Sequence, residues 1–156
     1  MGKTLVLYYS CNGSTRRVAQ QLHKIVGGDI AEIELQDKYT TATAYTIGLY
    51  HIKTGKCPDL KAPVDVSGYD IVYLGTPVWY FTLTPPVAQA LRSNSWQGKT
   101  LIPFSTYRGQ GGKTFKHIAE LAAGAQVKAG HGFCMVTGKA DSVLQYEIRN
   151  WLAEIK

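Results

Sequence analysis

Carboxylates are in short supply in this chain: 11 Asp and Glu stand against 17 Lys and Arg in 156 residues, a formal charge of +6. A basic surplus raises the question of nucleic acid, but the bases are scattered and Arg16-Arg17 is their one adjacent pair, so no nucleic-acid footprint forms. The surplus bears instead on which partners or anionic ligands are drawn in. Cysteine is scarcer still. Cys11, Cys57 and Cys134 are odd in number, far apart and without a C-x-x-C pair, which argues against a disulfide framework and suits reduced thiols. His23, His51, His117 and His131 show no metal-ligand spacing, so no metal is expected. Long apolar runs are missing as well: Met1 to Ser10 offers one Lys and a five-residue apolar run, far short of a signal segment, and nothing approaches a membrane span. The expectation is a cytoplasmic protein without membrane attachment.

What is present is the ordinary material of one globular domain, expected to span residues 1–156: 45% of residues are apolar and 18% charged, with no repeat or low-complexity tract. Lys3 to Tyr9 is a nearly continuous apolar run, the pattern of a strand buried on both faces. From Thr15, apolar residues recur at helical spacing until Gly27-Gly28 stops them. Ile30 to Leu35 alternates as a second strand near an edge, and Thr40 to Lys56 reads as a helix or crossover closed by Gly55, Cys57 and Pro58. Tyr69 to Thr76 is a third strand, with a helix starting near Pro85-Pro86. Lys99 to Thr106 is a fourth, in which Pro103 forfeits one ladder hydrogen bond. A helix around Thr114 to Ala123, a fifth strand over Ala125 to Val136 and an amphipathic helix over Ser142 to Ile155 complete the chain.

Five alternations of strand and helix predict a doubly wound parallel sheet with helices on both faces. Ligands in such sheets bind beyond the carboxyl ends of the strands, so the loops after strands one, three and four should share one rim. The first, S-C-N-G-S-T, has the physics of an anion cradle, with Gly13 turning the backbone and a helix start behind it; the alternative is a plain helix cap at Ser14 or Thr15. Cys11 and Arg17 also form C-x5-R, the spacing of a loop that attacks phosphate with a thiolate. The second loop sets Trp79, Tyr80 and Phe81 side by side, and exposed aromatics on a loop point to a planar ligand. Of these, Phe81 is the one expected to fold back as a core lid and Trp79 the one expected to meet the ligand. The third loop, S-T-Y-R-G-Q-G-G, pairs Tyr107 with glycines that let amides approach closely.

Through L-V-L-Y-Y-S-C-N-G-S-T, Y-D-I-V-Y-L-G-T-P-V-W-Y, P-P-V and G-K-T-L-I-P-F-S-T-Y-R-G-Q-G-G the chain resembles the short-chain flavodoxins and flavodoxin-like FMN-binding proteins. The resemblance implies a flavodoxin-like three-layer α/β/α sandwich around a five-stranded parallel sheet in order 2-1-3-4-5. It implies a non-covalent FMN, its phosphate on Ser10, Cys11, Asn12, Gly13, Ser14 and Thr15. The isoalloxazine would then lie between Thr76, Pro77, Val78, Trp79 and Tyr80 on one side and Ser105, Thr106, Tyr107, Arg108, Gly109 and Gly112 on the other. The implied function is electron carriage by the flavin with no catalytic residue, and Arg108, if turned to the ring, would stabilise the reduced anion and raise its potential.

Two departures stand out. Asn12 occupies a position where the family usually has threonine, and the chain is basic where flavodoxins are acidic. The expected partner is therefore an acidic redox protein or a small-molecule electron acceptor. The alternative is a small FMN-dependent NAD(P)H/quinone-type oxidoreductase. A C-x5-R cysteine phosphatase, resembling the low-molecular-weight tyrosine phosphatases, is remote: Val18 follows the arginine where that family has Ser or Thr, and the chain has no Asp-Pro acid loop.

Overall fold

The apolar run after Lys3 forms the strand on which the sheet is built, and its alternation feeds two cores. In the computed structural model, which describes residues 2–156, β1 is Thr4–Tyr8. Successive strand residues point to opposite faces. Leu5 and Leu7 pack on one side with Val87, Leu91 and Ile118, while Val6 and Tyr8 pack on the other with Val18, Leu22 and Ile148. The elements that follow are α1 (Ser14–Val26), β2 (Asp29–Glu32), α2 (Thr41–Thr54), β3 (Ile71–Pro77), α3 (Pro85–Arg92), β4 (Thr100–Tyr107) and α4 (Thr114–Leu121). Two short strands, β5 (Gln126–Val127) and β6 (His131–Cys134), then precede a single 3₁₀ turn at Val136–Gly138 and α5 (Asp141–Glu154).

Every ladder is parallel and the order is β2-β1-β3-β4-β5, with β6 also on β4, so the chain has the three-layer architecture with strand order 2-1-3-4-5. Strand order reverses at β1, which puts the loops after β1, β3 and β4 on a common rim. β3 and β4 pack tightly at Gly75, where a Cβ would stand 2.3 Å from the Phe104 ring.

The fifth strand differs from expectation. It splits because Leu101 pairs with Val127 and Phe104 with His131, three steps on β4 against four on its neighbour. The extra residue makes a bulge beside Pro103, which has no N–H to give the ladder. Gly130 fits that bulge, since a Cβ there would lie 2.8 Å from the Pro103 carbonyl oxygen. The second strand is also shorter than its alternation suggests: Leu35 leaves the parallel ladder for an antiparallel bridge with Leu60. Arg16 of α1 clamps this edge with a bidentate pair to Glu32, at 2.7 and 2.9 Å.

Candidate functional site

At the carboxyl end of β1 the chain turns through Gly13, at φ 98°, into α1, and no side chain caps that helix from the Gly13 position. Ser10 Oγ accepts from the Gly13 N–H (3.0 Å) and Asn12 Oδ1 from the Ser14 N–H (3.2 Å), which fixes the loop. The first turn of α1 holds no acidic residue. Its amides and the positive end of its dipole therefore form an anion cradle.

This cradle opens into a cavity of about 470 Å³ whose walls come from all three rim loops. Of the residues expected there, Cys11, Asn12 and Ser14 line it from the first loop, and Pro77, Val78, Trp79 and Tyr80 from the second. From the third loop come Thr106, Tyr107, Arg108 and Gly109.

The others lie outside the lining and have different work. Ser10 and Gly13 shape the turn. Thr15 is buried and shares a 2.8 Å hydrogen bond with Thr106, tying α1 to β4. Thr76, buried as well, accepts from the Thr84 N–H (3.2 Å) and holds the start of α3. The Ser105 hydroxyl is buried without a hydrogen-bond partner. Gly112 is at φ 58°, and a Cβ there would stand 2.4 Å from the Phe81 carbonyl oxygen, so it lets the third loop close on the second.

The aromatic loop is a tight turn. Trp79 and Thr82 exchange backbone hydrogen bonds of 3.0 and 3.1 Å, with Tyr80 and Phe81 at the two central positions at φ 50° and 65°. Positive φ at both positions marks a turn normally built from Asn-Gly. Two aromatics there are strained, yet the Tyr80 hydroxyl donates to the Tyr45 carbonyl and the Phe81 carbonyl accepts from the Lys113 N–H (2.8 Å). The roles expected of Phe81 and Trp79 are reversed in one respect. Phe81 does not fold back; it is 58% exposed. Trp79 packs inward while still lining the cavity, edge-on to Tyr9 and Tyr39 at centroid distances of 6.1 and 5.0 Å, over Gly48. Trp79 precedes the two positive-φ positions and is held by Tyr9, Tyr39 and Gly48, whereas Phe81 occupies the second of them.

Two further walls lie outside the three rim loops. Thr41, Ala44 and Tyr45 of α2 form one, and Met135, Val136 and Thr137 after β6 the other. Tyr45 carried a signal, as an aromatic in the long crossover. The Met135 segment carried none, because it reads as part of the fifth strand. Met135 too has positive φ, at 53°, so every non-glycine residue of that conformation among those described lines this one cavity.

The cavity's electrostatics are simple. Arg108 is the one charged residue of the lining, and its guanidinium makes no hydrogen bond or ion pair among the described residues. No carboxylate lines it. Beneath it, burial pushes the Tyr9 and Tyr39 hydroxyls well above the ordinary tyrosine range and raises the Cys57 thiol to about 11, so all three are neutral at physiological pH.

C-x5-R chemistry fails on geometry. Arg17 turns away from Cys11, pairing with Asp141 at 2.7 Å and donating to the Val136 and Lys139 carbonyls. Burial raises the Cys11 thiol against a hydrogen bond with the Tyr9 side chain that lowers it, which is the opposite of an activated nucleophile. The donor set fits an anion held intact, and the aromatic slot beside it fits a planar ring.

The flavodoxin family profile matches residues 49–155. The chain is 27% identical to a structure described as a flavoprotein from Bacteroides eggerthii, with a TM-score of 0.83 over 99% of this chain and 98% of that one. A flavoprotein from Lactobacillus acidophilus, solved in complex with FMN, is 24% identical with a TM-score of 0.71 over 85% of this chain and 93% of that one. A curated relative, NAD(P)H dehydrogenase (quinone) from Gluconacetobacter diazotrophicus, is 26% identical over 88 residues, 56% of this chain. The match spans 44% of that protein, less than half its length. With the family profile covering more than half of its residues, and with this fold, the chain belongs to the flavodoxin family.

Proposed function

We propose that the site holds FMN and that the protein carries electrons through it. One observation carries this reading: a single cavity joins a helix start free of acidic residues to a slot walled by Trp79, Tyr80 and Tyr107, as a phosphorylated planar ring requires. Bound FMN would supply reversible one- and two-electron chemistry. The first-turn amides of α1, with Ser14 and Asn12, would hold the phosphate; the aromatic walls would hold the ring and exclude water. Arg108, as the lone charge of the lining, would offset negative charge gained on reduction. The absence of lining carboxylates works in the same direction. Around the mouth lie Tyr45, Tyr80, Phe81 and Met135, 42–67% exposed, a rim suited to a partner that brings its own redox centre close. The +6 charge favours an acidic partner protein or an anionic small-molecule acceptor. Widely spaced free thiols suit a cytoplasmic setting.

Titration with FMN and riboflavin, followed by absorbance, tests the cofactor. Two charge-assisted hydrogen bonds to phosphate are worth about 3–6 kcal/mol, so FMN should bind roughly 100-fold or more tightly than riboflavin. Equal affinities, or none, overturn the reading. An FMN-dependent NAD(P)H/quinone oxidoreductase is the second reading, favoured by the name of the curated relative and by the open aromatic rim. Turnover of a quinone with NADH or NADPH by the loaded protein decides for it; reversible reduction by a protein donor without such turnover decides for the carrier.

A further inference from the structure

The helical layer on the Leu5–Leu7 face holds a second cavity, of about 270 Å³, between α2, α3 and α4. Its floor is apolar, from Ile52, Leu83, Ala88 and Leu121. Its rim is basic: His51, Lys56, Arg92 and His117 surround it with one carboxylate, Glu120. Among the described residues neither Lys56 nor Arg92 pairs with a carboxylate. Lys56 Nζ donates to the Tyr50 hydroxyl and Arg92 Nη1 to the Gly55 carbonyl, both at 3.3 Å. Two cations without an ion-pair partner, facing one carboxylate on the same concave surface, leave a positive potential that an anion would relieve.

The histidines connect this cavity to the site already described. His117 Nδ1 is 2.6 Å from Thr82 Oγ1, and His51 Nδ1 is 2.7 Å from the Tyr39 hydroxyl. With the hydroxyl donating, Nδ1 accepts and the ring proton sits on Nε2, so each imidazole keeps an N–H for an anion without becoming charged. Both hydroxyl partners touch Trp79. Thr82 exchanges two backbone hydrogen bonds with it, and the Tyr39 ring stands against it at 5.0 Å.

We propose that this cavity is a second ligand site, for a phosphate-bearing anion, and that its occupancy is relayed through His51 and His117 to Trp79. Phosphate is favoured over carboxylate because four donor-bearing side chains line the cavity, His51, Arg92 and His117 from three helices and Lys56 from the segment after α2. A phosphate dianion carries up to twice the charge of a carboxylate and spreads it over tetrahedrally arranged oxygens, which suits donors arriving from several directions, whereas the acceptor sites of a carboxylate lie in one plane. The apolar floor favours an organic phosphate over the free ion. The site is independent of what fills the larger cavity.

The test is a titration of isotope-labelled full-length protein at constant ionic strength, followed by NMR at the two histidine rings and the Trp79 indole. One arm uses inorganic phosphate and the other phenyl phosphate, both at millimolar concentration. The expected result is a saturable shift of both histidines and of Trp79, weakened roughly fivefold or more by Arg92→Gln or Lys56→Gln and tightened by Glu120→Gln. Tighter binding of phenyl phosphate identifies an organic phosphate as the ligand; equal or tighter binding of inorganic phosphate identifies the free ion. Absence of a saturable shift, or shifts confined to the Gly13–Thr15 amides, overturns the site. Histidine shifts that leave Trp79 unmoved overturn the relay.

Discussion

Replacing Phe81 by glycine separates what the aromatic turn costs from what it does. Phe81 is held at φ 65°. A side chain in that region costs about 1–2 kcal/mol. Glycine enters it freely but loses about 0.5–1 kcal/mol more chain entropy on folding. Phe81 is 58% exposed, so loss of the ring forfeits about 1 kcal/mol of burial, which offsets the relief of strain; its carbonyl keeps the Lys113 N–H at 2.8 Å. Alanine forfeits the same ring but keeps the strain, so Phe81→Gly should be more stable than Phe81→Ala by about 0.75 kcal/mol at the centre of these ranges, about 1.5–3 °C in Tm for a chain of this length. Removing the ring from the cavity wall should at the same time weaken FMN binding, by about 3- to 10-fold if it contributes an ordinary aromatic contact of 0.5–1.5 kcal/mol. Urea unfolding of the protein without added FMN measures the first effect and FMN titration the second. A Gly variant no more stable than the Ala variant refutes the strain, and unchanged FMN affinity refutes the part assigned to Phe81 in the site.

The two outer glycines of the R-G-Q-G-G loop should behave differently. Gly112→Ala meets the Phe81 backbone at a positive φ and should cost about 2–4 kcal/mol, whereas Gly109→Ala, with open space around it, should change unfolding free energy by no more than about 0.5 kcal/mol. Arg108→Ala should lower the midpoint potential of the loaded protein, measured by equilibration against a reference dye; an unchanged value removes Arg108 from the ring's environment. Cys11→Ser should leave FMN affinity within about twofold, because the loop is held by Ser10 and Asn12 rather than by the thiol; a large loss in the titration would restore a role for the sulfur. Stability should fall on acidification. The Arg16 hydrogen bonds hold the Glu32 carboxyl below its ordinary 4.5. For Glu147 burial works upwards, but Lys139 and His131 together hold it down. Both contributions are present above the unfolded value and lost as pH falls through the lower folded ones. Arg16→Gln should therefore flatten the decline between about pH 5 and 3 in urea-unfolding series; an unchanged slope would assign that decline to other carboxylates.

The sequence disclosed the sheet because its signals are local. An unbroken apolar run can be a doubly buried strand, and Gly27-Gly28 can end α1, without reference to anything distant. α2 was legible in part for the same reason, through Gly55 at its end, while the reciprocal Thr40 and Thr43 cap at its start settles the choice between helix and crossover. The errors fall where a residue's role depends on a partner far along the chain. The break in the fifth strand is set by Pro103 and a one-residue mismatch with β4, which Ala125 to Val136 does not contain. Gly112 and Gly109 look alike until Phe81 is placed against one of them. Phe81 stays outside the core in a turn whose two central residues argue locally against the positive φ they adopt, and Trp79 takes its place against Tyr9 and Tyr39 from distant elements. Tyr80, Phe81 and Met135 each break a local preference, and a chain keeps such strain only where the surroundings hold it in place. That all three meet on one cavity is an argument for function that does not depend on the family: local rules fail here together, where aromatic side chains are turned to face the same space.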